Sequence, residues 1–233
     1  MKLSDITQEI KEVAAVLVQK GWAERNAGNF SYRLEDIPNN PNPIKLDIIQ
    51  PIIPEVVPTF VLTLSISNSN SKFRDIAKDP RSFCGILNIE NDNRTYYSAD
   101  TNAKPSSEAP THIEIHQYLL ENEPIIKAVL HTHPTHLIAF THKYSKLTKE
   151  ELFSLLEKTM PEVSMYIPNK VGLVQLLPPG SEELAVATLE ELQHHDLIIW
   201  KHHGCIAVSD TLWEACDMID ILDKAAQIVL LSG

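Results

Sequence analysis

The chain has 233 residues, 43% of them hydrophobic, and a formal charge of −11 from 20 Lys and Arg against 31 Asp and Glu. That apolar fraction excludes a disordered chain, and this length can bury one substantial core. The acidic balance argues against nucleic acid or an anionic membrane as the main partner, but not against a small anionic substrate, because a site's charge is local.

Residues 5–20 place Ile10, Val13, Ala14 and Leu17 on one helical face, and Gly21 is positioned to end that helix. Residues 22–34 read as a polar turn followed by an alternating strand. Residues 36–58, rich in Pro and Asn, predict a loop with short extended pieces. Strands are predicted at 60–64, 83–89 and 94–98, with a polar loop at 65–71 and a turn at 91–93. Pro105-Ser106-Ser107-Glu108-Ala109-Pro110 predicts a helix entrance with Ser106 or Ser107 as cap, and the helix runs to about residue 121. Residues 125–131 predict a buried strand. Thr148 and Glu151 form a capping box that opens another helix. A strand at 171–177 and a helix from Ser181 follow. A strand at 197–200 then runs into Lys201-His202-His203-Gly204. A second capping box, Thr211 with Glu214, opens a long final helix. Strands and helices alternate without a compositional break, which predicts one α/β domain over residues 1–233.

Cys84, Cys205 and Cys216 have no paired short spacing, so neither a disulfide framework nor a Cys-rich zinc site is expected. The N-terminus lacks the basic and apolar blocks of a signal peptide. The most apolar stretch, residues 48–64, is broken by Pro51, Pro54 and Pro58 and cannot span a membrane. A soluble, reducing, cytoplasmic setting is expected.

The ten histidines cluster, and His131-Thr132-His133 is the most informative group. Residues i and i+2 of a strand face one side, so two imidazoles converge where a metal can sit. A catalytic zinc takes three protein ligands and keeps one position open. His203 is the candidate third ligand: it ends another apolar strand, and Gly204 allows a sharp turn there. Glu108, His112 and His116, at i, i+4 and i+8, form a rival helical face. The preferred reading of His112 and His116 is plainer, as partly buried rings with hydrogen-bond partners. Asn26-Ala27-Gly28-Asn29, the Ser106-Ser107 helix entrance and the Ser67–Ser71 loop each offer neutral donors to an anion. Together with a metal they predict a phosphorylated substrate.

Asn26-Ala27-Gly28-Asn29, Ser106-Ser107-Glu108, and His131-Thr132-His133 with a distant His203-Gly204 resemble the class II aldolase/adducin family. The resemblance spans nearly the whole chain. Gly21-Trp22-Ala23-Glu24-Arg25-Asn26, Met160-Pro161-Glu162 and Pro179-Gly180-Ser181-Glu182-Glu183 are most similar to its branch that splits rhamnulose 1-phosphate. The resemblance implies a three-layer α/β/α fold with a mostly antiparallel central sheet. It also implies a homotetramer with active sites between subunits. It implies Zn²⁺ on His131, His133 and His203, with Glu108 as the acid/base carboxylate. It implies that Glu162 reaches a neighbouring subunit's site, and that Gly28, Asn29, Ser69, Ser106 and Ser107 hold the phosphate. The implied reaction cleaves a ketose 1-phosphate to dihydroxyacetone phosphate and an aldehyde, L-lactaldehyde for rhamnulose 1-phosphate. Fuculose-1-phosphate cleavage, pentulose-phosphate 4-epimerisation, sugar-phosphate dehydration and a non-catalytic scaffold are the family's other roles. One loop departs from the pattern: the branch's Thr-Gly-Ser-Gly is Ser67-Asn68-Ser69-Asn70 here. A different loop shape is expected unless Asn supplies the left-handed backbone.

Overall fold

The computed structural model describes residues 3–35, 44–45, 61–90, 93–100, 102–169 and 171–233. The first helix, α1 (Leu3–Lys20), buries Ile6, Ile10, Val13, Ala14 and Leu17. Gly21 ends it at φ 72°, with Gly21 N–H donating to Val18 O and Trp22 N–H to Leu17 O. Only a residue at ease with positive φ closes a helix this way.

The chain continues through β1 (Asn29–Leu34), β2 (Ile44–Lys45), β3 (Val61–Ser67), α2 (Phe73–Ile76), α3 (Pro80–Phe83), β4 (Cys84–Glu90) and β5 (Asn93–Ser98). Then come α4 (Ala109–Asn122), β6 (Ala128–Thr132), α5 (Thr135–Lys143), α6 (Lys149–Thr159), α7 (Pro161–Tyr166) and β7 (Gly172–Val174). The last elements are α8 (Glu182–Leu192), β8 (Leu197–Trp200), β9 (Gly204–Ser209) and α9 (Leu212–Ser232). Among the described residues the strands form one sheet, ordered β2-β5-β4-β3-β1-β6-β9-β8-β7. Each neighbouring pair is antiparallel except β7 and β8.

Alternation along the strands sorts side chains between two helical layers. Phe30, Tyr32, Ala128, Leu130 and Ala207 pack against α1, α5, α6 and α9. The longest helix, α9, covers this face with Ala215, Cys216, Ile219, Leu222 and Ala226. On the opposite face, Val129, Ile198, Ile206 and Val208 pack against Ile115 and Leu119 of α4 and Leu184 and Leu192 of α8. The three-layer fold with a mostly antiparallel sheet is therefore as expected.

The capping box at α6 forms as predicted: Glu151 N–H donates to Thr148 Oγ1 at 3.3 Å, and Thr148 N–H donates to Glu151 Oε2 at 2.9 Å. At α9, Thr211 Oγ1 accepts from Glu214 N–H, while Glu9 of α1 takes the Trp213 N–H at 3.0 Å. Other expectations shift. The serine-rich start of the predicted 65–71 loop is strand instead, because Ser65 pairs with both Tyr32 and Ile86. Central position in a sheet outweighs weak strand propensity. Neither Ser106 nor Ser107 caps α4. The cap position is Glu108, and Ser106 Oγ accepts the Glu108 N–H in the turn ahead of it. The sequence pattern also does not announce α5, α7 or β9. Most of the predicted 36–58 loop, the first residue of the predicted 60–64 strand and residues 91 and 92 of the predicted turn lie outside the described residues.

Candidate active site

The sheet's pairing gathers the chemistry at one end of four adjacent strands. Asn29 opens β1 opposite His131 near the end of β6, and Thr132 pairs with Cys205 near the start of β9. β3 ends at the same edge. A cleft of about 160 Å³ opens there, walled by Gly28, Asn29, Ser69, Ser106, Ser107, Glu108, His131, His133 and His203. Nine of the ten predicted site residues thus face one cavity. Glu162 does not line it: it is exposed on α7.

His131 and His133 converge on one side as predicted, although β6 ends at Thr132 and His133 lies one residue beyond it, where its N–H donates to Trp22 O at 2.9 Å. His203 arrives on the hairpin between β8 and β9, whose register pairs Trp200 with Gly204. The three imidazole centroids are 5.1, 5.1 and 5.0 Å apart, with interplanar angles of 64°, 70° and 69°. That is a near-regular triangle of rings. The left-handed residue of the hairpin is His202, at φ 65°. Gly204 therefore matters for a different reason from the predicted sharp turn. A Cβ there would lie 2.5 Å from Thr132 O and 3.0 Å from His133 Cδ2, so only glycine lets the hairpin close onto β6. His202 turns away, its Nε2 3.2 Å from Thr141 O and its ring stacked on His142. The ligand candidate of the adjacent pair is His203.

Proton placement favours a cation in the triangle. His131 Nδ1 lies 2.9 Å from Cys205 O, a pure acceptor, so Nδ1 carries the hydrogen. His133 Nδ1 lies 2.8 Å from the Glu24 carboxylate. When both rings are neutral, with their hydrogens on Nδ1, the two Nε2 atoms carry lone pairs and face each other at 3.3 Å. Facing lone pairs repel unless a cation sits at their apex. With Zn–N bonds of about 2.0–2.1 Å, a tetrahedral site separates its nitrogens by about 3.3 Å. Burial holds His131 well below the ordinary imidazole pKa and His203 down at about 4, so both stay neutral and able to coordinate. Two further atoms of the site, His203 Nδ1 and Glu108 Oε2, are buried without a hydrogen-bond partner. The donor set fits a divalent metal, and among the described residues this is the one such group of His, Cys, Asp and Glu.

Glu24 appears in the sequence motif but drew no role there. Its place on His133 Nδ1 fixes that ring's tautomer and orientation. Glu24→Ala is expected to weaken metal affinity by about 10- to 100-fold, measured by competition with a chromogenic chelator.

Glu108 sits beside the cluster, its Oε1 3.5 Å from where a Cβ on Gly180 would stand. Burial raises its pKa. Opposite, the Ser67–Ser71 loop is locked to the helix entrance: Ser69 N–H donates to Lys104 O and Ser106 N–H to Ser67 O. Asn70 takes the left-handed backbone, φ 63°, that glycine offers in the related loop. Asn68 replaces the other glycine and anchors the loop inward, accepting from Tyr96 Oη and donating to Ser98 Oγ. Gly28, at φ 76°, brings its turn so close to β6 that a Cβ would meet His131 O at 2.8 Å. No Lys or Arg lines the cleft among the described residues, so an anion there meets amides, hydroxyls and the metal.

The rival face of Glu108, His112 and His116 is not a metal site. His112 and His116 are buried at 1% and 0% exposure and bonded to Asn29 and Ser31. Burial pushes His112 down to about 3 and His116 well below its ordinary value. The unfolded chain binds protons on these rings from about pH 6.5 downward, while the folded chain resists. Their stabilisation is therefore complete above about pH 6.5 and fades toward pH 3, by up to roughly 1.4 kcal/mol per pH unit and ring. The fall in urea midpoint between pH 7.5 and pH 5 is expected to be shallower in His116→Leu than in the unaltered chain. Equal slopes would contradict this.

The model of the Class II Aldolase and Adducin N-terminal domain matches residues 8–230. The chain belongs to the class II aldolase and adducin family. It is a class II aldolase by its relatives, and so a lyase. It is 34% identical to the rhamnulose-1-phosphate aldolase of Bacteroides thetaiotaomicron, over 98% of this chain and 86% of that one. A sugar-phosphate aldolase from Thermotoga maritima superposes with a TM-score of 0.83 at 31% identity, covering 98% of this chain and 95% of the other. The L-fuculose-1-phosphate aldolase of Thermus thermophilus shares the fold, with a TM-score of 0.62 at 19% identity over 98% and 94% of the two chains. Class II aldolases use a divalent metal, and the three-histidine triangle is where this class II aldolase has room for one.

Proposed function

We propose that this class II aldolase cleaves L-rhamnulose 1-phosphate between C3 and C4, to dihydroxyacetone phosphate and L-lactaldehyde. The observation that carries the reading is one cleft joining the histidine triangle, a buried carboxyl and a wall of neutral donors. Zn²⁺ on His131, His133 and His203 is the ion proposed, because neutral imidazoles suit it. When bound, it supplies Lewis-acid stabilisation of the negative charge that develops on the substrate's oxygens.

The remaining steps belong to the chain's own residues. Gly28, Asn29, Ser69, Ser106 and Ser107 hold the phosphate and orient the sugar. A base removes the C4 hydroxyl proton, and the C3–C4 bond breaks with its electron pair left on the three-carbon phosphate. Glu108 delivers the proton to C3, and in the synthetic direction takes it back. Burial raises its pKa, the direction that helps a carboxyl hold the proton it must deliver.

Glu162 is proposed to handle the proton on the C4 oxygen of a neighbouring subunit, within a homotetramer. Supporting this, α7 carries Met165 at 68% and Tyr166 at 57% exposure beside Glu162, an apolar surface suited to burial between copies. No described helix is long and apolar enough to cross a membrane, and a cytoplasmic setting is part of the same proposal.

The test is a substrate panel with metal-loaded protein. Release of dihydroxyacetone phosphate from L-rhamnulose 1-phosphate, faster than from L-fuculose 1-phosphate, is expected. Epimerisation of a pentulose phosphate or dehydration of a sugar phosphate, without aldol cleavage, would replace this reading.

A further inference from the structure

Behind Asn29 runs a line of buried polar contacts that the proposed reaction does not use. Asn29 Oδ1 is 2.5 Å from His112 Nε2. His112 Nδ1 is 2.6 Å from Ser31 Oγ, and Ser31 Oγ is 2.8 Å from His116 Nε2. The exposures of Asn29, Ser31, His112 and His116 are 5, 0, 1 and 0%. Asn29 and Ser31 share a face of β1, and His112 and His116 are one turn apart on α4. The line ends blind, at a His116 Nδ1 with no partner.

Each neutral ring and the hydroxyl carries one hydrogen, and the two rings are the partners of Ser31 Oγ among the described residues, so only two arrangements satisfy every link without stranding the hydroxyl hydrogen. In the first, His116 Nε2–H donates to Ser31, Ser31 donates to His112 Nδ1, and His112 Nε2–H donates to Asn29 Oδ1. In the second, every bond is reversed, and the Asn29 amide flips so that its NH₂ donates to His112. The two differ at the blind end. The first leaves a bare lone pair on His116 Nδ1, and the second leaves a buried N–H with nothing to donate to. The atom of Asn29 that faces His112 Nε2 is Oδ1, an acceptor, which the first arrangement requires. The first arrangement therefore prevails, and with its oxygen engaged, Asn29 keeps its NH₂ for the cleft that it lines.

We infer that His116, Ser31 and His112 are positioning residues that hold the Asn29 amide with its donor end toward the cleft, selecting a phosphate monoester. The reversed amide would present an oxygen and repel that anion. This role rests on the proposed reading of the cleft as a phosphate site.

Ser31→Ala breaks the line without touching the cleft wall. It is expected to raise both KM for the sugar phosphate and the inhibition constant of inorganic phosphate by about tenfold, the worth of one hydrogen bond. Turnover and bound metal should stay within about threefold. Ser31→Thr, which keeps the hydroxyl, should restore most of the affinity. Ser31→Ala combined with Asn29→Ala should bind phosphate no worse than Asn29→Ala alone, because the two act as one unit. Nitrogen NMR of histidine-labelled, unaltered protein should find His112 and His116 both protonated at Nε2, and this reading stands even if Ser31→Ala does not fold. Protonation of His112 at Nδ1, whichever nitrogen of His116 carries its hydrogen, or full additivity in the double variant, would overturn the inference. Unchanged phosphate affinity in Ser31→Ala, beside a loss in Asn29→Ala, overturns the relay and leaves the phosphate reading standing. Unchanged affinity in Asn29→Ala overturns the phosphate reading itself, and the role of the relay with it.

Discussion

Stripping the metal with a chelator is expected to lower ketose 1-phosphate cleavage at least about 10³-fold, and added Zn²⁺ to restore it. The size follows from the chemistry: carbanion-like charge must be stabilised, a Lewis acid supplies several kcal/mol of that, and each 1.4 kcal/mol is about tenfold in rate. Nothing else in the cleft can substitute, since no Lys or Arg lines it among the described residues. The fold should survive the treatment. The triangle sits at strand ends, whereas the packed cores lie along the strands against the two helical layers. His131 and His203 are neutral without the ion, because burial already disfavours their charged forms. Unchanged turnover after exhaustive chelation, with metal content verified as nil, would remove the metal from the mechanism.

Glu108→Gln is expected to lower kcat by roughly 10²- to 10⁴-fold while retaining metal and fold, as the loss of a general acid–base group does. The substitution keeps shape and polarity and removes only the proton exchange. Glu108 carries a buried Oε2 without a hydrogen-bond partner and is not tied into a structural network. Because burial raises its pKa, the rising limb of the kcat/KM profile in the synthetic direction should lie above the ordinary carboxylate value of about 4.3. The sign follows from the role: the base must be ionised, so the rate climbs as pH passes upward through that pKa. A variant with wild-type turnover would exclude Glu108 from proton transfer.

Much of the cleft was legible because its residues obey local rules. His131 and His133 fall on one side, as i and i+2 of a strand would, although β6 ends between them, and the long apolar runs of β6 and β8 announce their strands. The Thr148 capping box forms as written. What stayed hidden depends on approach between distant segments. Gly204 looked like a sharp turn, but the left-handed residue is His202, and Gly204 is needed for its closeness to Thr132. Glu24 touches His133 across 109 residues, a contact no local pattern encodes. The Asn29-His112-Ser31-His116 line joins β1 to the helix α4 packed on it: buried, hydrogen-bonded rings were expected of His112 and His116, but their partners on a distant strand were not. The Ser67–Ser71 loop shows the converse: asparagine in place of glycine was readable as a hazard, and Asn70 supplies the required left-handed backbone.

The initial charge of −11 also acquires a local meaning. An acidic chain can hold a phosphate ester when the binding wall is made of amides and hydroxyls and the neighbouring cation is a metal rather than a lysine.

The central claim meets its most direct test in a crystal structure of the metal-loaded protein with dihydroxyacetone phosphate. The expected result is an ion within about 2.0–2.2 Å of nitrogens from His131, His133 and His203, with Glu108 beside it and the phosphate among Asn29, Ser69, Ser106 and Ser107. An ion held by other residues, or a phosphate bound outside this cleft, would contradict the account.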